Sequence, residues 1–132
     1  MKTTILAKIS TIIIFLSLLI GDPGLSFALE ISPRTINLGN IIKGKTITQN
    51  IQIINNEAQT INLKKARSSC ECITLEYEKD ILIKENQIYT IILTLNTAEL
   101  AEGKLKKFVF LYFQNSENPI SSIELRGNIR NF

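Results

Sequence analysis

The chain reads as an all-β sandwich behind a short apolar head, and three observations carry that reading. Apolar residues alternate with polar ones along most of the chain, the period of a half-buried strand. Turn-forming clusters, among them Lys43-Gly44-Lys45, Asn55-Asn56-Glu57, Glu85-Asn86-Gln87 and Asn118-Pro119, break the alternation into seven segments. The head differs in kind: Met1-Lys2 and Lys8 precede an uncharged run over residues 9–20, which stops at Gly21-Asp22-Pro23-Gly24. Seven short strands with turns between them predict a two-sheet sandwich.

The head has the anatomy of a signal peptide, with Ser26 and Ala28 as the small residues before a cleavage point. We expect residues 1–28 to be a signal peptide and residues 29–132 to be one domain. The apolar run falls short of the ~20 residues that span a bilayer comfortably, so no membrane span is expected after cleavage. No cysteine lies near the break to accept a lipid anchor. The expected location is periplasmic or secreted.

The first strand is expected over residues 30–39, on a sheet edge because Pro33 cannot donate to a ladder, with Gly39-Asn40 turning the chain. Lys43-Gly44-Lys45 leads into a second strand over 46–54, carrying Ile47, Ile51 and Ile53 on one face. A third covers 60–67 with Ile61 and Leu63 inward, and a mixed fourth covers 75–85. Residues 88–95 form the clearest strand, β-branched and uninterrupted, with Tyr89, Ile91, Leu93 and Leu95 on one face, and it should be central. Thr97 to Gly103 has helix formers before a glycine stop but is too short for a self-supporting helix, so we expect a helical turn in a crossover. Strands over 108–113 and 120–129 complete the set, placing Ile51, Ile53, Ile91, Leu93, Leu95, Ile123 and Leu125 in the core.

Charge directs the chain nowhere. Without the head it has 13 basic and 11 acidic residues, and the clusters Lys64-Lys65-Arg67 and Lys104-Lys106-Lys107 read as solvated strand faces rather than a groove for nucleic acid. About 100 residues suffice for a stable core without metal or disulfide. The chain contains no histidine, which removes the commonest general base and metal ligand and every Ser-His or Cys-His pair. Glu76 and Glu78 beside Lys79 suit a solvated edge better than a paired-carboxylate site, and no phosphate loop is present. We expect no enzyme and no cofactor.

Two features stand out from this scaffold. Cys70 and Cys72, the only cysteines, flank Glu71; in an extended strand their Cα atoms would lie about 6.5 to 7 Å apart, past comfortable disulfide reach, so a bond requires a local turn. The pair could be packed as small apolar residues, oxidised, or used as two thiolates for a soft, copper-type ion. The second feature is Phe108, Phe110 and Tyr112. If Val109, Leu111 and Phe113 face the core, these three form an aromatic stripe on the other side, either covered by another segment or serving as anchors for a partner.

Thr35 to Gly39, Lys43-Gly44-Lys45, Ser69-Cys70-Glu71-Cys72, Leu93-Thr94-Leu95-Asn96-Thr97 and Asn118-Pro119-Ile120 fall in an order and spacing that resembles the bacterial domain of unknown function 1573. The resemblance covers nearly all of the chain after the head. It implies an immunoglobulin-like sandwich, related to the major sperm protein and ciliary ASH modules, and export; it supplies no activity. In the family's motif Ser-Cys-Gly-Cys-Thr, Glu71 replaces the glycine and Ile73 the last threonine. The functional expectation is therefore an exported, non-catalytic immunoglobulin-like module that binds another envelope or extracellular protein. The alternative is thiol chemistry at Cys70 and Cys72. A pilus-type chaperone is a lesser option, because those proteins use two domains and this chain has room for one.

Overall fold

Pro33 divides the first expected strand into two. In the computed structural model, which describes residues 29–114 and 121–132, the chain before it is β1 (Leu29–Ser32) and the chain after it is β2 (Thr35–Ile42). The two lie in different sheets. The mixed region divides in the same way, into β5 (Ile73–Glu76) and β6 (Ile81–Ile83), with Asp80 between them at positive φ. Among the described residues, nine strands therefore replace the expected seven. The others are β3 (Thr46–Asn55), β4 (Ile61–Ser68), β7 (Ile88–Asn96), β8 (Gly103–Phe113) and β9 (Ser121–Arg130). The head and the Asn118-Pro119 turn lie outside the described residues.

One sheet has four strands in the order β1-β3-β7-β5, all antiparallel; the other has five in the order β2-β9-β8-β4-β6, antiparallel except for β2 beside β9. Every connection except β8–β9 passes from one sheet to the other. This is an immunoglobulin-like sandwich, the fold class expected from the sequence. As expected, β1 is an edge and β7 is internal.

Two local expectations are corrected. Gly39-Asn40 is a bulge within β2 rather than a turn: the pairing with β9 shifts between Asn37 and Asn40, Gly39 takes φ +62°, and the Asn37 carboxamide accepts the Gly39 N–H at 3.1 Å. The segment after Thr97 makes one reverse turn, closed by Leu100 N–H donating to the Thr97 carbonyl at 3.2 Å, and no helix. The sandwich needs only a short bridge there, and Gly103 already opens β8.

Two buried polar residues fix the chain reversals. Asn55 is fully buried; its amide donates to the carbonyls of Gln59 (2.8 Å) and Ile83 (2.9 Å), while its side-chain oxygen accepts the Glu57 N–H (2.9 Å). Thr97, also fully buried, donates its hydroxyl to the Lys45 carbonyl at 2.7 Å. Both are satisfied, as burial requires.

The core lies between the sheets. Ile51, Ile53, Ile91, Leu93, Leu95, Ile123 and Leu125 are all 0% exposed, joined by Leu63, Ile83, Val109 and Leu111. Leu93→Ala should lower stability by about 2 to 5 kcal/mol in chemical denaturation, because it removes a fully buried side chain from the middle of the four-stranded sheet.

Candidate functional site

The two features singled out in the sequence are neighbours. β4 ends at Ser68, the chain turns through Ser69-Cys70-Glu71-Cys72, and β5 begins at Ile73 in the opposite sheet. The turn brings the two cysteine Cα atoms to 5.2 Å, within disulfide range, and the sulfurs are bonded. Positive φ among non-glycine residues falls at Asp80, Asn86 and Gln114 and not at Glu71, so this turn does not call for the family's glycine.

Hydrogen bonds tie the turn to both sheets. The Ser68 hydroxyl donates to the Cys70 carbonyl (2.7 Å), and Ile73 N–H donates to the same carbonyl (3.4 Å). Asn96 N–H, at the end of β7, donates to the Cys72 carbonyl (2.8 Å). On the other side Ser69 N–H donates to the Phe108 carbonyl (2.8 Å), and Phe108 N–H donates to the Ser69 hydroxyl (2.9 Å). Both cysteines are half-buried against the core and Glu71 is exposed. Joined as they are, the sulfurs offer no thiolate to a metal, and the described residues hold no cluster of three histidine, cysteine or acidic side chains.

Phe108 opens the second feature. On β8, Val109, Leu111 and Phe113 are buried, so the pleat turns Phe108, Phe110 and Tyr112 to the outer face of the five-stranded sheet, where each is half-buried. Phe108 and Phe110 stack, with centroids 6.1 Å apart and planes at 19°. Lys65 Nζ sits 4.6 Å from the Tyr112 ring centre, and Lys106 Nζ 5.7 Å from that of Phe108. Register sets Arg67 beside Phe110 and Glu124 beside Phe108.

Where the stripe ends, Lys104 and Lys106 continue its line, and a groove of about 640 Å³ opens between them and the bulge at Gly39-Asn40. Glu124 is held there by Arg126 at 2.8 Å and Lys106 at 3.5 Å. Its carboxyl lies below the ordinary glutamate value, first through the Arg126 hydrogen bond and against some desolvation, with the charges of Arg126 and Lys106 adding to the effect. Sequence reasoning took the two basic clusters as unrelated solvated faces. The missed signal was parity, since Lys104, Lys106, Phe108, Phe110 and Tyr112 occupy alternate positions of one strand and must share a face.

A two-sheet sandwich with mostly crossing connections and no helix among its described residues defines an immunoglobulin-like module. The chain belongs to the family described as Protein of unknown function (DUF1573), whose profile matches residues 29–129. No curated protein matches it in sequence. Among solved structures it is similar to the ASH / PapD-like domain 7 of human CEP192, with a TM-score of 0.61 and 11% identity over 80% of this chain and 87% of that one. A protein of unknown function from Porphyromonas gingivalis gives 0.62 and 17% over 82% of this chain, which spans 51% of that protein. The secreted serine protease VesC from Vibrio cholerae gives 0.62 and 12% over 79% of this chain and 23% of the protease. At such identities the likeness shows the fold.

Two expectations follow. Closing a three-residue loop contributes only about 1.6 kcal/mol by chain entropy, so Cys70→Ser with Cys72→Ser should cost no more than about 2 kcal/mol in urea unfolding. A loss near 5 kcal/mol would make the bond a structural staple. For Glu124, a folded-state value below the unfolded one means stabilisation that is present above the unfolded value and lost as pH falls through the folded one. Glu124→Gln should therefore flatten the acid limb of a stability–pH curve and leave its alkaline limb unchanged.

Proposed function

We propose that this protein is an exported, non-catalytic immunoglobulin-like module that holds another envelope or extracellular protein against the outer face of its five-stranded sheet. One observation carries the reading: residues 108–113 of β8 are apolar on both faces, and the outer ones, Phe108, Phe110 and Tyr112, stay partly exposed after the inner ones have filled the core. Aromatic rings that are partly exposed and held in place by neighbours are enriched as anchors at protein interfaces. Thr97 to Glu102, one segment that could have covered the stripe, spans the gap between sheets on its way from β7 to β8. The head with its Ser26-x-Ala28 site supports export, and so does a joined cysteine pair, since such bonds persist in oxidising compartments. Absence of histidine from the whole sequence supports a non-catalytic role.

Thiol chemistry at Cys70 and Cys72 remains the second reading, favoured by the small contribution that so short a loop makes to folding. A pull-down from envelope extract separates the two. Capture that survives Cys70→Ser with Cys72→Ser but not Phe110→Ser supports the interface; the reverse pattern supports the thiols.

Phe110→Ser should lower stability by about 1 kcal/mol, since the ring is only half-buried, and should abolish capture of the partner. Phe113→Ser on the buried face of the same strand should cost several kcal/mol, about what removing a core phenylalanine costs. A Phe110→Ser loss as large as that of Phe113→Ser in a monomeric protein would end the interface reading.

A further inference from the structure

Charge is segregated between the two sheets. The strands of the four-stranded sheet contain no lysine or arginine, and their charges are Glu30 and Glu76. The strands of the five-stranded sheet contain eight cations and one carboxylate, Glu124. Register gathers Lys65, Arg67, Lys104, Lys106 and Arg126 around the aromatic stripe: Lys65 opposite Tyr112, Arg67 opposite Phe110, Lys106 opposite Arg126. Glu124 engages Lys106 and Arg126, while Lys65, Arg67 and Lys104 have no carboxylate within ion-pair distance among the described residues.

Accepting the stripe as the partner surface, we infer that its occupant is an acidic protein segment, a carboxylate-rich stretch laid along β8 with its charges on Lys65, Arg67 and Lys104 and its apolar side chains against the partly exposed rings. Complementary charge of this kind selects the partner and speeds encounter. The rings themselves argue against other polyanions. A nucleobase, and by the same logic a pyranose, stacks on an open aromatic face. Here Phe108 and Phe110 stack on one another, and Lys106 and Lys65 stand over the rings of Phe108 and Tyr112. These contacts occupy ring faces that a base or a sugar would need, whereas aliphatic side chains can pack on whatever part of the rings is exposed. A lipid surface calls for apolar groups that reach into the acyl boundary, and these rings are half-buried in the sheet. A second copy of this chain could offer its four-stranded face, but only two carboxylates stand there to meet five cations.

The test is a titration of the purified protein with two synthetic peptides of equal length, one alternating glutamate with leucine and the other alternating glutamine with leucine. The glutamate peptide should bind at least about tenfold more tightly, and raising salt from about 0.05 to about 0.5 M should remove most of that advantage. Arg67→Glu with Lys104→Glu should weaken it about tenfold, while Arg67→Lys with Lys104→Arg should restore it; both sites are exposed, and equal melting temperatures would show the fold intact. Equal affinity for the two peptides, or binding unaffected by the charge reversal, overturns the inference; the stripe reading then survives if Phe110→Ser still abolishes binding. Binding that withstands Phe110→Ser and fails on charge reversal does the opposite, upholding the acidic partner and rejecting the aromatic anchor. Tighter binding to phosphatidylglycerol vesicles or dextran sulfate than to the glutamate peptide, or binding to none of these probes, also overturns it.

Discussion

The pleat of β8 is the constraint on which the rest of the molecule depends. Side chains on a strand alternate strictly between faces, so burying Val109, Leu111 and Phe113 against Leu93, Leu95, Ile123 and Leu125 leaves no choice about where Phe108, Phe110 and Tyr112 go. A slip of one residue would exchange the two sets and put Lys104 and Lys106 into the core. The penalty for that exchange is far larger than any effect on the outer face. The arrangement of rings and cations outside is thus set by the packing inside, and the outer face inherits a rigid backing.

Much of the fold was legible because alternation is local information. The strands over 46–54, 60–67 and 88–95 and the entire expected core are where the periodicity of Ile51-Gln52-Ile53 and Ile91-Ile92-Leu93-Thr94-Leu95 puts them. What alternation does not carry is sheet membership. Residues on either side of Pro33 continue the same pattern, yet β1 pairs with β3 and β2 with β9, and residues 75–85 similarly conceal a change of sheet at Lys79-Asp80. The glycine signals were likewise ambiguous: positive φ serves a turn at Gly44 and a bulge at Gly39, and only the partner strand distinguishes them.

The candidate site was legible in parts and not as a whole. The cysteine pair and the stripe were both visible, and so was the need for a turn at the cysteines. Their adjacency was not, because it arises from β4 lying beside β8, a pairing of segments some 40 residues apart in sequence. The same pairing brings Lys65 and Arg67 alongside the rings. A basic cluster read alone is a solvated strand face; two of them on facing strands, with aromatics between, make a surface of one sign.

Ser69 links the two halves of the site. Its backbone and hydroxyl both engage Phe108, the first ring of the stripe, and the next residue is the first sulfur of the pair. The closed three-residue loop adds little to global stability by constraining the unfolded chain, so its effect is felt where it constrains the folded one, in the turn that presents Ser69 to β8. Opening the pair would loosen that turn before it disturbed the core, whose ladders β3–β7 and β8–β9 lie outside the loop. The hydrogen bonds of Ser69 are therefore the direct structural link between the cysteine pair and the aromatic end of β8 that lies nearest Cys70.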